Sequence, residues 1–152
     1  MRLGHSFRCT ELEAALGVAE VEQRESALSS RRRVARRLLA GLQPFEDALQ
    51  LPSVRPDAEH GYMFFPLVIR RDDISREALV GYLEERGIET RNLLPLINQP
   101  VYRRLYGSLE AHYPVAARLN EKAFYIGCHP LMGDADVDRI IETFGAFFRT
   151  AG

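Results

Sequence analysis

The chain has 152 residues, 46% hydrophobic and 27% charged, which is enough to bury one sizeable core and sits inside the range of ordinary globular domains. Twenty basic residues against 21 acidic ones leave a formal net charge of -1, so no overall field favours nucleic acid or an anionic membrane. No apolar run approaches a bilayer span and no signal-peptide block opens the sequence, which leads us to expect a cytoplasmic protein. Cys9 and Cys128 have neither CxxC nor Cys/His spacing, which argues against a disulfide framework or a zinc site and for two reduced, buried thiols. Lys122 is the only lysine, so chemistry needing an amine nucleophile has one candidate.

The opening stretch, MRLGHSFRCTELEAALG, sets polar and flexible residues directly against a helix start. Thr10 and Glu13 form a TxxE capping box ahead of Leu12, Ala15, Leu16 and Ala19, which are spaced for one helical face. Gly17 invites a bend. From about Glu20 the stripe continues through Leu28, Ala35, Leu39 and Leu42, with Arg33, Arg36 and Arg37 on the other side. The run RRRVARR spreads its arginines around the helix, and a solvated face neutralised in part by acids such as Glu25 is the expected role.

Pro44, Pro52 and Pro56 break the next segment into loop, short strand and loop. YMFFPLVIR predicts a strand over Tyr62 to Ile69, in which Pro66 implies an edge or a bulge. SREALVGYLEERG predicts a helix capped by Ser75, with an Ala78, Leu79, Tyr82 and Leu83 face and Gly87 in a left-handed C-terminal cap. A strand over Ile88 to Asn92 follows, then a short helix with Pro100 in its first turn and Gly107 past its end. Pro114 opens another helix. FYIGC predicts a strand, and Asp134, Asp136 and Asp138 favour the N-terminus of a last helix. Val137, Ile140, Ile141, Phe144, Phe147 and Phe148 form its apolar stripe. The fold class predicted is α/β (α+β), with helices on a small mixed or mostly antiparallel sheet.

Arg91 ends the third strand, where a fixed guanidinium suits a carboxylate or a phosphate; an ordinary salt bridge to Glu89 explains it equally well. His5, His60, His112 and His129 lack metal-ligand spacing. Cys128 and His129 are neighbours on a strand and point to opposite faces, which disfavours a dyad.

As a set, LGHSFRCTELEAALG, SSRRRVARRLLAGL, YMFFPLVIR, LVGYLEERGIETR, NQPVYRRLYG, YPVAARLNEKAFYIGCHP and GDADVDRIIETF resemble, in order and spacing, the C-terminal part of the pyridoxal-phosphate-dependent nucleotide-sugar aminotransferases of the DegT/DnrJ/StrS type. The resemblance implies that residues 1–42 are a helical segment that follows the cofactor-binding domain and that 43–152 form the small domain of fold-type I enzymes. It also implies that the lysine carrying the cofactor lies upstream. Lys122 matches no catalytic position and is expected to be solvated, so no catalytic residue and no covalently held cofactor are expected in this stretch.

By the same resemblance, Ser6 stands where the family has an asparagine that holds the cofactor phosphate of the neighbouring subunit, and Arg8 stands at the family's arginine. Arg91, from its place at the strand end, and Asn98 are the expected substrate-binding residues. The implied assembly is a homodimer. The implied reaction transfers an amino group from an amino acid such as glutamate to a keto-sugar nucleotide, with this stretch inactive alone. Two other readings stay open: a fragment of a sugar dehydratase using the same cofactor, and a stand-alone binding or dimerisation module.

Overall fold

The computed structural model describes residues 8–93 and 95–150. A 32-residue helix, α1 (Glu11–Leu42), opens it and leads through a 3-10 turn to β1 (Leu49–Gln50) and β2 (Phe64–Ile69). Then come α2 (Arg76–Glu85), β3 (Thr90–Asn92), a second 3-10 turn (Leu96–Asn98), α3 (Pro100–Tyr106), α4 (Pro114–Lys122), β4 (Ala123–Gly127) and α5 (Asp134–Thr150). All strand pairs are antiparallel, in the order β1-β2-β4-β3, so of the predicted alternatives it is the antiparallel sheet that forms.

Alternation along the strands explains the layering. Phe65, Leu67 and Ile69 of β2 and Phe124 and Ile126 of β4 are buried on one face. Onto that face pack Val34, Leu38 and Leu42 of α1, Leu79 and Leu83 of α2, and Val137, Ile140, Phe144 and Phe147 of α5. α4 packs against β2 and β4, whose other face carries Phe64, Pro66 and Val68 opposite Gly127, Tyr125 and Ala123. Pro66 is tolerated because β1 pairs only with Val68 and Ile69, leaving the proline one neighbouring strand.

The caps follow the sequence. Thr10 and Glu13 exchange both bonds of the capping box, Ser75 Oγ accepts from the Ala78 amide, and Gly87 and Gly107 take φ of 74° and 73°. α1 runs through Gly17 without the expected break. Among the described residues Tyr62 is the one non-glycine with positive φ, at 43°, a conformation that costs a bulky residue roughly 1–3 kcal/mol.

α1 has two unlike halves. Residues 11–26 are all exposed, whereas Val34, Ala35, Leu38 and Leu42 are buried. At 3.6 residues per turn Leu16 and the buried Val34 lie five whole turns apart on the same side of the helix, so Leu16 is exposed because this half of α1 extends past the domain. Arginines tie down the second half. Arg32 bonds Glu59 and the His60 carbonyl, Arg33 bonds Asp134 and the Met132 carbonyl, and Arg37 bonds Asp134 and Asp138. The expected solvated arginine face is therefore largely a set of interelement ties, and Glu25 pairs with Arg24 instead.

Candidate functional site

The second face of the sheet is the part of the domain left open. Val68 and Ala123 are buried there, but Phe64, Pro66 and Tyr125 are half-buried and Gly127 is exposed. Register places Arg91 across from Tyr125, and Tyr125 across from Pro66, in one cross-strand row. The Phe64 and Tyr125 rings lie 4.5 Å apart, centroid to centroid, and form a small aromatic floor. No heavy atom comes within 4 Å of where a side chain on Gly127 would begin, apart from its chain neighbours. Glu89, Arg91, Tyr125 and Gly127 line a shallow groove of about 220 Å³. Glu89 and Gly127 also border a second groove of about 330 Å³ that reaches His129, Asp136 and Arg139.

Arg91 forms the ion pair with Glu89 that its sequence neighbourhood allowed, and also donates to the Thr90 carbonyl. The Arg91 and Glu89 side chains are 61% and 74% exposed, so solvent screens the pair and breaking it costs little. Asn98 is already engaged. Its amide nitrogen donates to Asn120 of α4 and its oxygen accepts from Gln99, while Arg76 bonds the Asn120 carbonyl. Asn98 thus anchors the segment between β3 and α4 and has limited freedom to bind a ligand. Arg8 is exposed just ahead of α1, and Ser6 lies outside the described residues.

Other sequence candidates resolve into structural roles. Cys128 is buried and its thiol is pushed up to about 11 by burial, with Arg31 nearby pulling it partly back. Cys9 is exposed, which corrects the expectation of two buried thiols; it precedes the half of α1 that packs on nothing described. Lys122 is not solvated. Its side chain is 13% exposed, with Nζ 3.4 Å from the Arg71 carbonyl and 3.6 Å from Asp72. α4 runs into β4 without a loop, which presses its last residue against the β2–α2 connection. Among the described residues no group of His, Cys, Asp or Glu could hold a metal ion. The aromatic floor is the feature that residue-by-residue reading missed; alternation on the two strands could have paired Phe64 with Tyr125 had their register been known.

Residues 1–145 match the DegT/DnrJ/EryC1/StrS aminotransferase family. The chain belongs to this family. Among curated relatives, the lipopolysaccharide biosynthesis protein RfbH of Salmonella typhimurium is 28% identical over 149 residues, covering 96% of this chain and 34% of RfbH. The dTDP-4-dehydro-2,6-dideoxy-D-glucose 3-dehydratase of Saccharopolyspora spinosa is 28% identical over 148 residues, covering 95% of this chain and 32% of that enzyme. The chain therefore spans about a third of the length of these DegT/DnrJ/EryC1/StrS proteins. The fold matches that of the putative sugar aminotransferase Spr1654 from Streptococcus pneumoniae in its PLP form, with a TM-score of 0.84, 21% identity, and coverage of 95% of this chain and 37% of that one. No described helix is long and apolar enough to cross a membrane.

The family is associated with pyridoxal phosphate. Lys122 is the one lysine in the chain, and its ammonium is turned onto the Arg71 carbonyl and Asp72.

Proposed function

We propose that the chain is the C-terminal part of a pyridoxal-phosphate-dependent enzyme that acts on a nucleotide-linked sugar, and that it turns nothing over alone. The observation that carries this reading is a match along residues 1–145 to a family whose curated relatives are about three times as long. The exposed half of α1 supports it, since its apolar stripe extends past the domain's own core and suits the packing of a further body.

In this reading the open sheet face forms the substrate-side wall. Arg91 gives up Glu89 and takes a carboxylate or phosphate oxygen pair, which a planar guanidinium orients better than an ammonium would. Phe64, Pro66 and Tyr125 exclude water beneath the bound group, and the Asn98–Asn120 pair fixes the segment beside it. Ser6 and Arg8 reach toward the cofactor phosphate of the neighbouring subunit in a cytoplasmic homodimer. The whole enzyme transfers an amino group from an amino acid to a keto-sugar nucleotide. A second reading, removal of a sugar hydroxyl with the same cofactor, is favoured by the similarity to the Saccharopolyspora spinosa 3-dehydratase.

The test starts with the 152-residue chain and pyridoxal phosphate. No absorbance band should depend on Lys122, and no amino transfer should occur; a stoichiometric band lost in Lys122→Gln would refute the reading. When the chain is joined to the cofactor-binding portion of a family member, activity should appear. Arg91→Gln should then raise KM about tenfold or more with a smaller change in kcat, as loss of a charged ground-state contact requires.

A further inference from the structure

Two cross-strand rows lie side by side on the open face of the sheet, and they differ at their centres. In the first, Arg91, Tyr125 and Pro66 stand abreast, with the Tyr125 ring in the middle. The second is two residues further along β4, where Gly127 faces Phe64 on β2. Continuing the β3–β4 register one step beyond Thr90 and Ile126 brings Glu89 to the other side of Gly127. Glycine puts no side chain between these neighbours, so the row has a gap at its middle. The two grooves meet at that gap, because Glu89 and Gly127 border both the groove of Arg91 and the groove of His129, Asp136 and Arg139. Nothing in the backbone demands glycine here. Its φ lies outside the left-handed region, and no heavy atom beyond its chain neighbours stands within 4 Å of where a Cβ would be.

We propose that Gly127 is a specificity-determining residue: by leaving the gap open it lets a sugar ring attached to a phosphate pass from Arg91 into the groove beside His129. The inference rests on the reading of the open sheet face as the substrate-side wall. Two strand residues span about 7 Å, the reach from a phosphate held by Arg91 across one ring joined to it. The second groove suits a hydroxyl-bearing ring, because its polar groups mix donors with acceptors. His129 Nδ1 accepts the Leu131 amide, which leaves Nε2 as the donor of that ring. Asp136 takes the Gly133 amide on one carboxylate oxygen and keeps the other. Arg139 bonds the Arg86 carbonyl through one nitrogen and keeps further N–H groups. Leu131 and Met132 add apolar surface along the same groove, against which the C–H face of a sugar packs. A few convergent polar groups set among apolar ones are what orients a small ligand in a cleft. Glu89, released when Arg91 takes the phosphate, stands at the junction and accepts a ring hydroxyl.

Titration of the full 152-residue chain with dTDP and with dTDP-glucose, followed by NMR, isolates the contribution of the sugar. Both ligands should shift Arg91. Only dTDP-glucose should also shift His129 and Arg139, and it should bind about five- to tenfold tighter than dTDP. Gly127→Ala should lose part of that margin and Gly127→Val all of it, while dTDP itself is held as in the wild type. The open space around the new Cβ lets both variants keep the wild-type spectrum away from the gap, and the single methyl of Gly127→Ala keeps the series readable if valine disturbs β4. Absence of sugar-dependent shifts at His129 and Arg139, or a full margin retained in Gly127→Val, would overturn the role of Gly127 and leave the Arg91 wall intact. No shift at Arg91 with either ligand would instead refute the substrate-side wall, and this inference with it.

Discussion

The two halves of α1 obey different rules although one unbroken helix carries both. The first half holds five glutamates and one arginine, is exposed throughout, and has the Thr10–Glu13 capping box as its N-terminal anchor. The second half is arginine-rich, buries four apolar side chains, and reaches across to α5 and the loop before β2. Helix propensity and a good cap are enough to define a helix; a place in a domain requires partners that only distant segments supply.

The contrast predicts a ranking of substitutions. Leu38→Ala, at a fully buried position, should destabilise the domain by about 2–5 kcal/mol in urea unfolding. Leu16→Ala, at a position 62% exposed, should stay within about 0.5 kcal/mol of wild type. The two glycines of α1 separate the halves next. At Gly41 a new Cβ would fall 2.2 Å from Ile141 Cδ1 and 2.6 Å from its Cγ1, whereas at Gly17 it meets nothing within 4 Å. Gly41→Ala should therefore cost about 1–3 kcal/mol through overpacking of α1 on α5. Gly17→Ala should instead raise helicity by circular dichroism, with a local gain of up to about 1 kcal/mol.

Smaller effects come from charges. Asp134→Asn removes the carboxylate shared by Arg33 and Arg37, all three side chains being a third or more exposed, so screening limits the loss to about 1 kcal/mol or less, and added salt should shrink it further. In the first half, the Thr10 amide and hydroxyl hold the Glu13 carboxyl below its ordinary value. A lowered folded-state pKa gives stability that is present above the unfolded value and is lost as pH falls through the folded one. Exchange protection in the first turns of α1 should therefore drop in acid below the usual carboxylate range, and Glu13→Gln should abolish that dependence. Equal acid sensitivity in the variant would refute the capping argument.

The sequence disclosed what is local. Ser75, Gly87 and Gly107 mark ends at which the chain itself supplies the bond or the backbone conformation, and the α5 stripe follows from period alone. Arg91 with Glu89 was equally legible, since the partners are two residues apart. What stayed hidden depends on register and distance. Arg33 meets Asp134 101 residues away, Asn98 meets Asn120, and Lys122 folds back onto the β2–α2 connection. Nothing in the neighbourhood of those residues encodes such partners. The Phe64–Tyr125 floor was hidden for the same reason, and with it the shape of the candidate site.

The capping box at Thr10 has a consequence for the order of assembly. A helix end that satisfies its own first amides can stay wound before any surface meets it, so the exposed half of α1 presents itself as a prepared rod. Under the proposed function, a body that joins it is spared part of the entropy of winding it, and recognition there reduces to matching a row of small aliphatic side chains set between glutamates.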